Sequence, residues 1–257
     1  MQGPAQNAPP SVFVHAARLV YGGRVLFDEL DFTLDAGLWT CLLGPSGVGK
    51  SSLLRLIAGL GPSYAGGTVV CDDGLSLRGR AAYMAQQDLL LPWLSVLGNV
   101  ALGHRLRGGG GRTEAEHRAA ELLETVGLGR NSGQLPATLS GGMRQRAALA
   151  RTLAEDRPVV LMDEPFSALD VITKIRLQGL FADLLRGRTV LLVTHDPLEA
   201  LRLGHRICVM AGRPARIGDP LDPAGTPPRN LHDPDLLSLQ ADLLDRLSLA
   251  AEAEVQP

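Results

Sequence analysis

An α/β fold on a parallel sheet, with a block of helices inserted between its strands, is what the sequence predicts. Three observations predict it. Short apolar runs such as "VVLMDEP" and "TVLLVTH" alternate with helix-spaced segments along most of the chain, the signature of a parallel α/β sheet. A glycine-rich loop, "GPSGVGKS" at 44–51, follows an apolar run and opens a helical one, as a strand–loop–helix phosphate site requires. From about 89 to 155 helical spacing replaces the strand pattern, so that stretch reads as an insertion.

Composition bounds the class. With 257 residues and 45% hydrophobic content the chain can bury a full core, read as one domain over 11–250. A formal net charge of −2 lacks the strongly basic footprint of a general nucleic-acid binder, and no nucleic-acid partner is expected. The longest apolar stretch, "LLLPWL" at 89–94, is broken by Pro92 and is too short to span a membrane. The opening "MQGPAQNAPP" has neither a basic n-region nor an apolar core, so 1–10 reads as a disordered tail. Cys41, Cys71 and Cys208 are few, odd in number and set in apolar runs; they read as buried reduced thiols and place the chain in the cytoplasm. Of the 25 Lys and Arg, only Lys50 and Lys174 are lysines.

The elements follow in order. "VFVHAARLVY", "VLFDELDFTL" and "LWTCLL" alternate and then turn fully apolar, giving three strands within 12–43. "KSSLLRLIAGL" is a helix that stops at Gly59 and Gly61, and "GTVVC" and "AAYMA" are two more strands. In the insertion, a flexible loop at Gly108–Gly111 precedes "TEAE" at 113–116, a capping-box spacing, and a helix with Leu122, Leu123 and Val126 on its apolar face. "SGGMRQRAALARTLAED" is the next helix; then come "VVLMDEP", a helix near 170–186, "TVLLVTH", a short helix and "RICVMA". A Pro-rich segment from 213 leads to a last amphipathic helix, "DPDLLSLQADLLDRL".

Four stretches carry chemistry. In "GPSGVGKS" the glycines let backbone N–H groups wrap phosphates, Lys50 reaches the β- and γ-phosphates, and the Ser51 hydroxyl suits Mg²⁺. A chain that uses arginine nearly everywhere keeps lysine here, where a compact ammonium is wanted. "VVLMDEP" at 159–165 ends an apolar strand in two acids, Asp163 to hold the Mg²⁺ shell and Glu164 to activate water. "TVLLVTHD" ends another strand in His195, favoured as a γ-phosphate contact over a surface histidine. "LSGGMRQR" at 139–146 joins a capping Ser140 to Gly141, Gly142 and a helix, which fits either an anion site or a plain helix start.

Together these motifs resemble the nucleotide-binding subunit of an ATP-binding cassette transporter over roughly 12–250. The resemblance implies a P-loop ATPase with an antiparallel β portion beside the parallel core, and a helical subdomain at about 89–155. It implies ATP and Mg²⁺ as ligands, with Gly44, Pro45, Ser46, Gly47, Val48, Gly49, Lys50, Ser51 and Ser52 around the phosphates. Tyr21, in "YGG", matches the aromatic that stacks on adenine, although a solvated strand-end tyrosine has the same look. Gln86 matches the γ-phosphate-sensing glutamine and joins Ser51 and Asp163 at the metal; Ala85 stands before it where the family more often has an aromatic residue. Glu164, His195 and Gln86 are then the catalytic set, and Asp170, ending "SALD" at 167–170, a dimer contact. Such cassettes pair head to tail, so Ser140, Gly141 and Gly142 would bind the nucleotide held by the partner's lysine loop, in a symmetric homodimer.

A cassette without its own span needs a permease. The apolar patch around Leu91, Pro92 and Trp93 is either its docking surface or core of the insertion. The resemblance places the protein peripherally on the cytoplasmic face of the inner membrane, served indirectly by an extracytoplasmic substrate-binding protein. "LLPW" and "PPR" at 227–229 are similar to importers of nitrate, sulfonate and taurine, and "YMAQQDLLLPWLSVLGNV" to the hydroxymethylpyrimidine branch. Gly98 and "RPARI" at 213–217 depart from that group. An exporter or lipoprotein-release ATPase, a non-transport cassette and a small-molecule kinase remain alternatives, the last without need of a signature helix.

Overall fold

The computed structural model describes residues 8–61, 66–107 and 111–255. Two sheets organise them. A three-stranded antiparallel sheet has the order β2 (Arg24–Leu34), β1 (Val12–Tyr21), β4 (Gly66–Cys71). A six-stranded sheet has the order β5 (Ala81–Met84), β6 (Val159–Asp163), β7 (Thr189–Val193), β3 (Trp39–Leu43), β8 (Arg206–Ala211), β9 (Arg216–Ile217). Its first five strands pair in parallel, and β9 closes the edge antiparallel to β8.

The continuous apolar runs have a geometric reason. Strands β3, β6 and β7 are buried along their whole length, because both faces of a parallel sheet are covered. Alternate residues feed two cores. Cys41, Val160, Met162, Val190 and Leu192 point into one; Leu42, Leu161, Leu191, Val193 and Met210 point into the other. The first core holds the helical insertion and α7 (Pro234–Val255), and the second holds α1 (Lys50–Ile57) and the antiparallel sheet. The insertion is α2 (Val96–Leu106), α3 (Arg112–Thr125) and α4 (Gly141–Ala154), packed on one another. Then α5 (Val171–Leu184) follows β6, and α6 (Pro197–Leu203) follows β7.

Helix α1 runs to Ile57 with Ala58 as its cap and is stopped by Gly59, as expected: Gly59 takes a φ of +70°, Leu60 N–H returns to Arg55 O at 2.8 Å and Gly59 N–H to Leu56 O at 3.0 Å, a closed C-terminal motif. Other expectations change in detail. The capping box does not form at Thr113. Helix α3 starts at Arg112 with Gly111 as cap and no side-chain bond, and the Arg112–Glu116 ion pair at 2.7 Å ties the added residue down. The tail expected over 1–10 is shortened, because Pro10 is buried and its carbonyl accepts from Thr189 Oγ1 at 2.8 Å. Residues 1–7 and the centre of the loop at Gly108–Gly111 lie outside the described residues. Cys41, Cys71 and Cys208 are free thiols and buried, as their settings required. Among the described residues no helix is long and apolar enough to cross a membrane.

Candidate nucleotide site

The loop between β3 and α1 is shaped by close packing. A Cβ on Gly44 would stand 2.2 Å from Met210 O, and its φ of +146° lies where L side chains are rarely found, so only glycine fits. Helix α1 opens on Gly49 without a side-chain cap, leaving its first N–H groups free of side-chain competition and its positive dipole end facing the loop. Lys50 is 8% exposed and donates to Gly44 O and Pro45 O, each at 2.7 Å. The ammonium thus folds back over the loop that it closes. A cleft of about 260 Å³ is lined by Ser46, Gly47, Gly49, Lys50, Ser51 and Ser52, with Leu26, Gln86 and Glu164 opposite.

The acid pair sits on this cleft. Asp163 is 2% exposed at the tip of β6 and is hydrogen-bonded to Ser51. Burial raises its carboxyl above the ordinary aspartate value; the Ser51 bond opposes the rise, Glu164 adds to it, and Arg55 and Lys50 oppose it. A buried carboxylate joined to a hydroxyl beside the phosphate loop is a hard-oxygen pair, which suits Mg²⁺ held by few protein ligands and by substrate phosphates. Ser51 and Asp163 therefore fit the ion that the motif implies. Glu164 stands in the left-handed region at φ 48°, a conformation costing about 1–3 kcal/mol for a non-glycine residue. Four bonds impose it. Glu164 N–H donates to Val193 O (2.8 Å), and Glu164 O accepts from Ser167 Oγ (3.0 Å) and Gln145 Nε2 (3.2 Å), which also reaches Pro165 O (2.8 Å). The twist turns the carboxylate toward two more of the expected residues: His195 Nδ1 lies 3.2 Å from Glu164 Oε2, and Gln86 Nε2 lies 3.5 Å from the same oxygen.

The remaining expected residues stand apart from the cleft lining. Tyr21 ends β1 at the turn into β2 and is 70% exposed. Ser140 caps α4, its Oγ accepting from Met143 N–H at 3.3 Å. A Cβ on Gly142 would come within 3.1 Å of Ala168 O, so the signature turn packs directly on the "SALD" loop. Asp170 caps α5, accepting from Thr173 N–H at 3.0 Å, and these local bonds hold its carboxyl below the ordinary value. Trp93 is 70% and Leu89 57% exposed, Pro92 is exposed and Leu91 half-buried.

The side chains that hold these loops were not singled out from the sequence. Asn99 is fully buried in α2 and bonds Leu91 N–H, Leu91 O, Leu94 O and Ser95 O, pinning the turn that carries Pro92 and Trp93. Arg151 donates to Asp88 O and Leu89 O, and Arg144 bridges the Asp88 carboxylate to Leu139 O at the start of the signature. The one available signal was a polar residue on an otherwise buried helix face, as for Asn99 beside Val96 and Val100, or Gln145 beside Ala148 and Leu149.

A phosphate loop closed by Lys50, an acid pair at the tip of the adjoining parallel strand and a capped signature helix beside it define a P-loop ATPase of the cassette type. The comparisons with known proteins agree. The model of the ABC transporter family matches residues 27–167. The aliphatic sulfonates import ATP-binding protein SsuB 2 of Burkholderia cenocepacia is 42% identical over 243 residues, covering 93% of this chain and 87% of that protein. Its namesake in Burkholderia lata is 44% identical over 246 residues, 94% of this chain and 88% of that protein. A bacterial ABC transporter cassette solved as a dimer superposes with a TM-score of 0.75 at 30% identity, covering 83% of this chain and 99% of the other. The same cassette bound to ADP and phosphate after hydrolysis gives 0.74. The chain belongs to the ABC transporter family, as an ATP-binding subunit whose hydrolysis of ATP is coupled to transport.

Proposed function

We propose that this chain energises a bacterial importer of aliphatic sulfonates, as a homodimer that closes on two ATPs at the cytoplasmic face of the cell membrane. The observation that carries the hydrolytic part is the meeting of Gln86 and His195 at the carboxylate of Glu164, which with Gln86 lines the cleft that Lys50 closes. The loop N–H groups of Gly44–Ser52 and the Lys50 ammonium bind the phosphates, and Tyr21 stacks on the base. Ser51, Asp163 and Gln86 would hold Mg²⁺, which would supply charge neutralisation on the phosphate oxygens. Glu164 accepts the proton of the attacking water, a contribution typically worth ~10²–10⁴ in rate. His195 contacts the γ-phosphate and orients the Glu164 carboxylate. Ser140, Gly141 and Gly142 cap the partner's nucleotide, and Asp170 supports the dimer contact.

Transport is coupled through the helical insertion. The exposed Trp93 and Leu89, with Leu91 and Pro92, offer the apolar surface that a permease helix covers. Relatives named for aliphatic sulfonates at 42% and 44% identity favour that substrate branch over the pyrimidine-precursor branch suggested by the segment at 83–100. The substrate itself is selected by the permease and its extracytoplasmic binding protein.

Affinity capture from detergent-solubilised native membranes, followed by uptake assays on the reconstituted complex, tests the whole reading. A polytopic permease should come along, and vesicles holding the complex should take up an alkanesulfonate in an ATP-dependent way. Capture of soluble proteins only, or uptake of a pyrimidine and no sulfonate, would overturn it. Glu164→Gln should accumulate as an ATP-bound dimer in size-exclusion light scattering with Mg-ATP.

A further inference from the structure

Behind His195 lies a polar cluster for which nucleotide binding has no evident use. Lys174, on α5, reaches Asp196 Oδ2 at 2.6 Å and stands 3.8 Å from Glu199 Oε1. Glu199 is 3% exposed and accepts from Gln178 Nε2 at 3.1 Å and from the Thr194 hydroxyl. Asp196 N–H donates to Thr194 Oγ1 at 3.1 Å, and Asp196 Oδ1 accepts from Leu198 N–H (2.9 Å) and Glu199 N–H (3.3 Å) at the start of α6. Both neighbours of His195 in the chain are therefore tied down by side chains, while the His195 side chain is 65% exposed.

The other end of the cluster reaches the dimer-facing loop. Lys174 N–H donates to Asp170 O at 2.8 Å, one helical turn away, and Asp170 is the cap that ends "SALD". One residue thus touches the loop on the partner's side through its backbone and the histidine turn through its side chain. The choice of lysine has a reason as well. A single ammonium meets two carboxylates from one atom, which a planar guanidinium cannot do in the same space. A buried carboxylate is costly to keep, and an apolar replacement of the whole cluster would often serve stability as well or better. What such a cluster supplies is a fixed geometry.

We propose that Lys174 and Glu199 are positioning residues for hydrolysis: they hold the turn 194–196 so that His195 stays against Glu164, and they make that register depend on how the Ser167–Asp170 loop is seated. This rests on the proposed roles of Glu164 and His195. A partner cassette that presses on the loop would then set the histidine in both halves of the dimer.

The test is steady-state ATP turnover of the purified full chain, with nucleotide affinity measured separately. Lys174→Met should lower kcat by about 10–100-fold, the size expected for a group displaced by a fraction of an ångström to an ångström, with KM and ATP affinity within about twofold. Lys174→Arg, which keeps the charge, should recover part of the loss. In a His195→Ala background Lys174→Met should add less than about twofold, since it acts through that side chain. Lys174→Met/Glu199→Gln removes the uncompensated buried charge and keeps the experiment readable where the single variant does not fold. Turnover of this double variant, or of Lys174→Met, within twofold of wild type overturns the proposal. So does an undiminished loss in the His195→Ala background. Unchanged turnover in His195→Ala itself overturns the hydrolytic reading of the site, a result distinct from either.

Discussion

Replacing Asn99 by alanine should both destabilise the fold and uncouple the ATPase from its membrane partner. The Asn99 side chain is fully buried and makes four hydrogen bonds. Two of the partners have other bonds: Leu91 O also accepts from Leu94 N–H at 3.1 Å, and Ser95 O from the Asn99 N–H at 2.9 Å. Leu91 N–H and Leu94 O lose the bonds they make to Asn99. Each group left unpaired costs about 1–3 kcal/mol, and partial burial of these bonds favours the lower half of the range. The expected loss is about 2–4 kcal/mol. With a urea slope of about 3 kcal/mol/M, at the top of the range for small proteins, the midpoint should move by about 1 M. Asn99→Asp, of the same shape, should do no better, because its carboxylate oxygens would face three carbonyls where an amide now donates. ATP turnover by the isolated cassette should stay within about twofold, whereas stimulation by the permease should be lost as Pro92 and Trp93 shift. A midpoint change under about 0.3 M at unchanged slope would refute the hydrogen-bond accounting.

Tyr21→Ala should weaken ATP binding by ~1–3 kcal/mol, the worth of a base–aromatic stack, without lowering the melting temperature, since the side chain is 70% exposed; isothermal titration of Tyr21→Ala and Tyr21→Phe reads both, and the phenylalanine variant should bind as wild type. The three thiols should be nearly inert to a disulfide reagent at pH 8 and react fully in urea, because burial pushes all of them up, Cys208 to about 11; rapid labelling of the native protein would contradict the burial. His205 Nδ1 accepts from Trp39 N–H at 3.1 Å, and burial, then the Arg229 charge, lowers its pKa from 6.5. A depressed histidine stabilises above its unfolded value, and the contribution is lost as pH falls from about 6.5 through the folded value. His205→Asn keeps an acceptor but does not titrate, so urea midpoints at pH 7.5 and 5.0 should fall less for the variant than for wild type.

The elements were legible where burial imposes a period. Strands β3, β6 and β7 read as apolar runs because both of their faces are covered, and α4 announced itself by the cap Ser140. Strand β9 was not legible. It has two residues, Arg216 and Ile217, and owes its existence to pairing with Ala211 and Met210, a tertiary cause with no local signal. The start of α3 was missed for a related reason, since the Arg112–Glu116 pair competes with a capping-box pattern that looked sufficient. Pro10 belonged by composition to a tail, and only the arrival of Thr189 from β7 anchors it.

In the site, residues that act by type were legible and residues that act by placement were not. A phosphate loop needs lysine, a general base needs a carboxylate, and those requirements survive in a one-dimensional string. Glu164 shows what the string omits. Its carboxylate faces Gln86 and His195 because its backbone is held at φ 48° by Val193, Ser167 and Gln145, from β7, the following turn and α4. Gln145 belongs to the signature helix, so the element proposed to cap a partner's nucleotide also fixes the backbone of Glu164, the proposed base of this chain. Arg144, on the same helix, fixes Asp88 two residues after Gln86. A displacement of α4 therefore acts on the base through Gln145 and on the loop beyond Gln86 through Arg144, without passing through the nucleotide. In the proposed dimer, a closure that displaced this helix would make the geometry for hydrolysis and the seating of the partner one mechanical event.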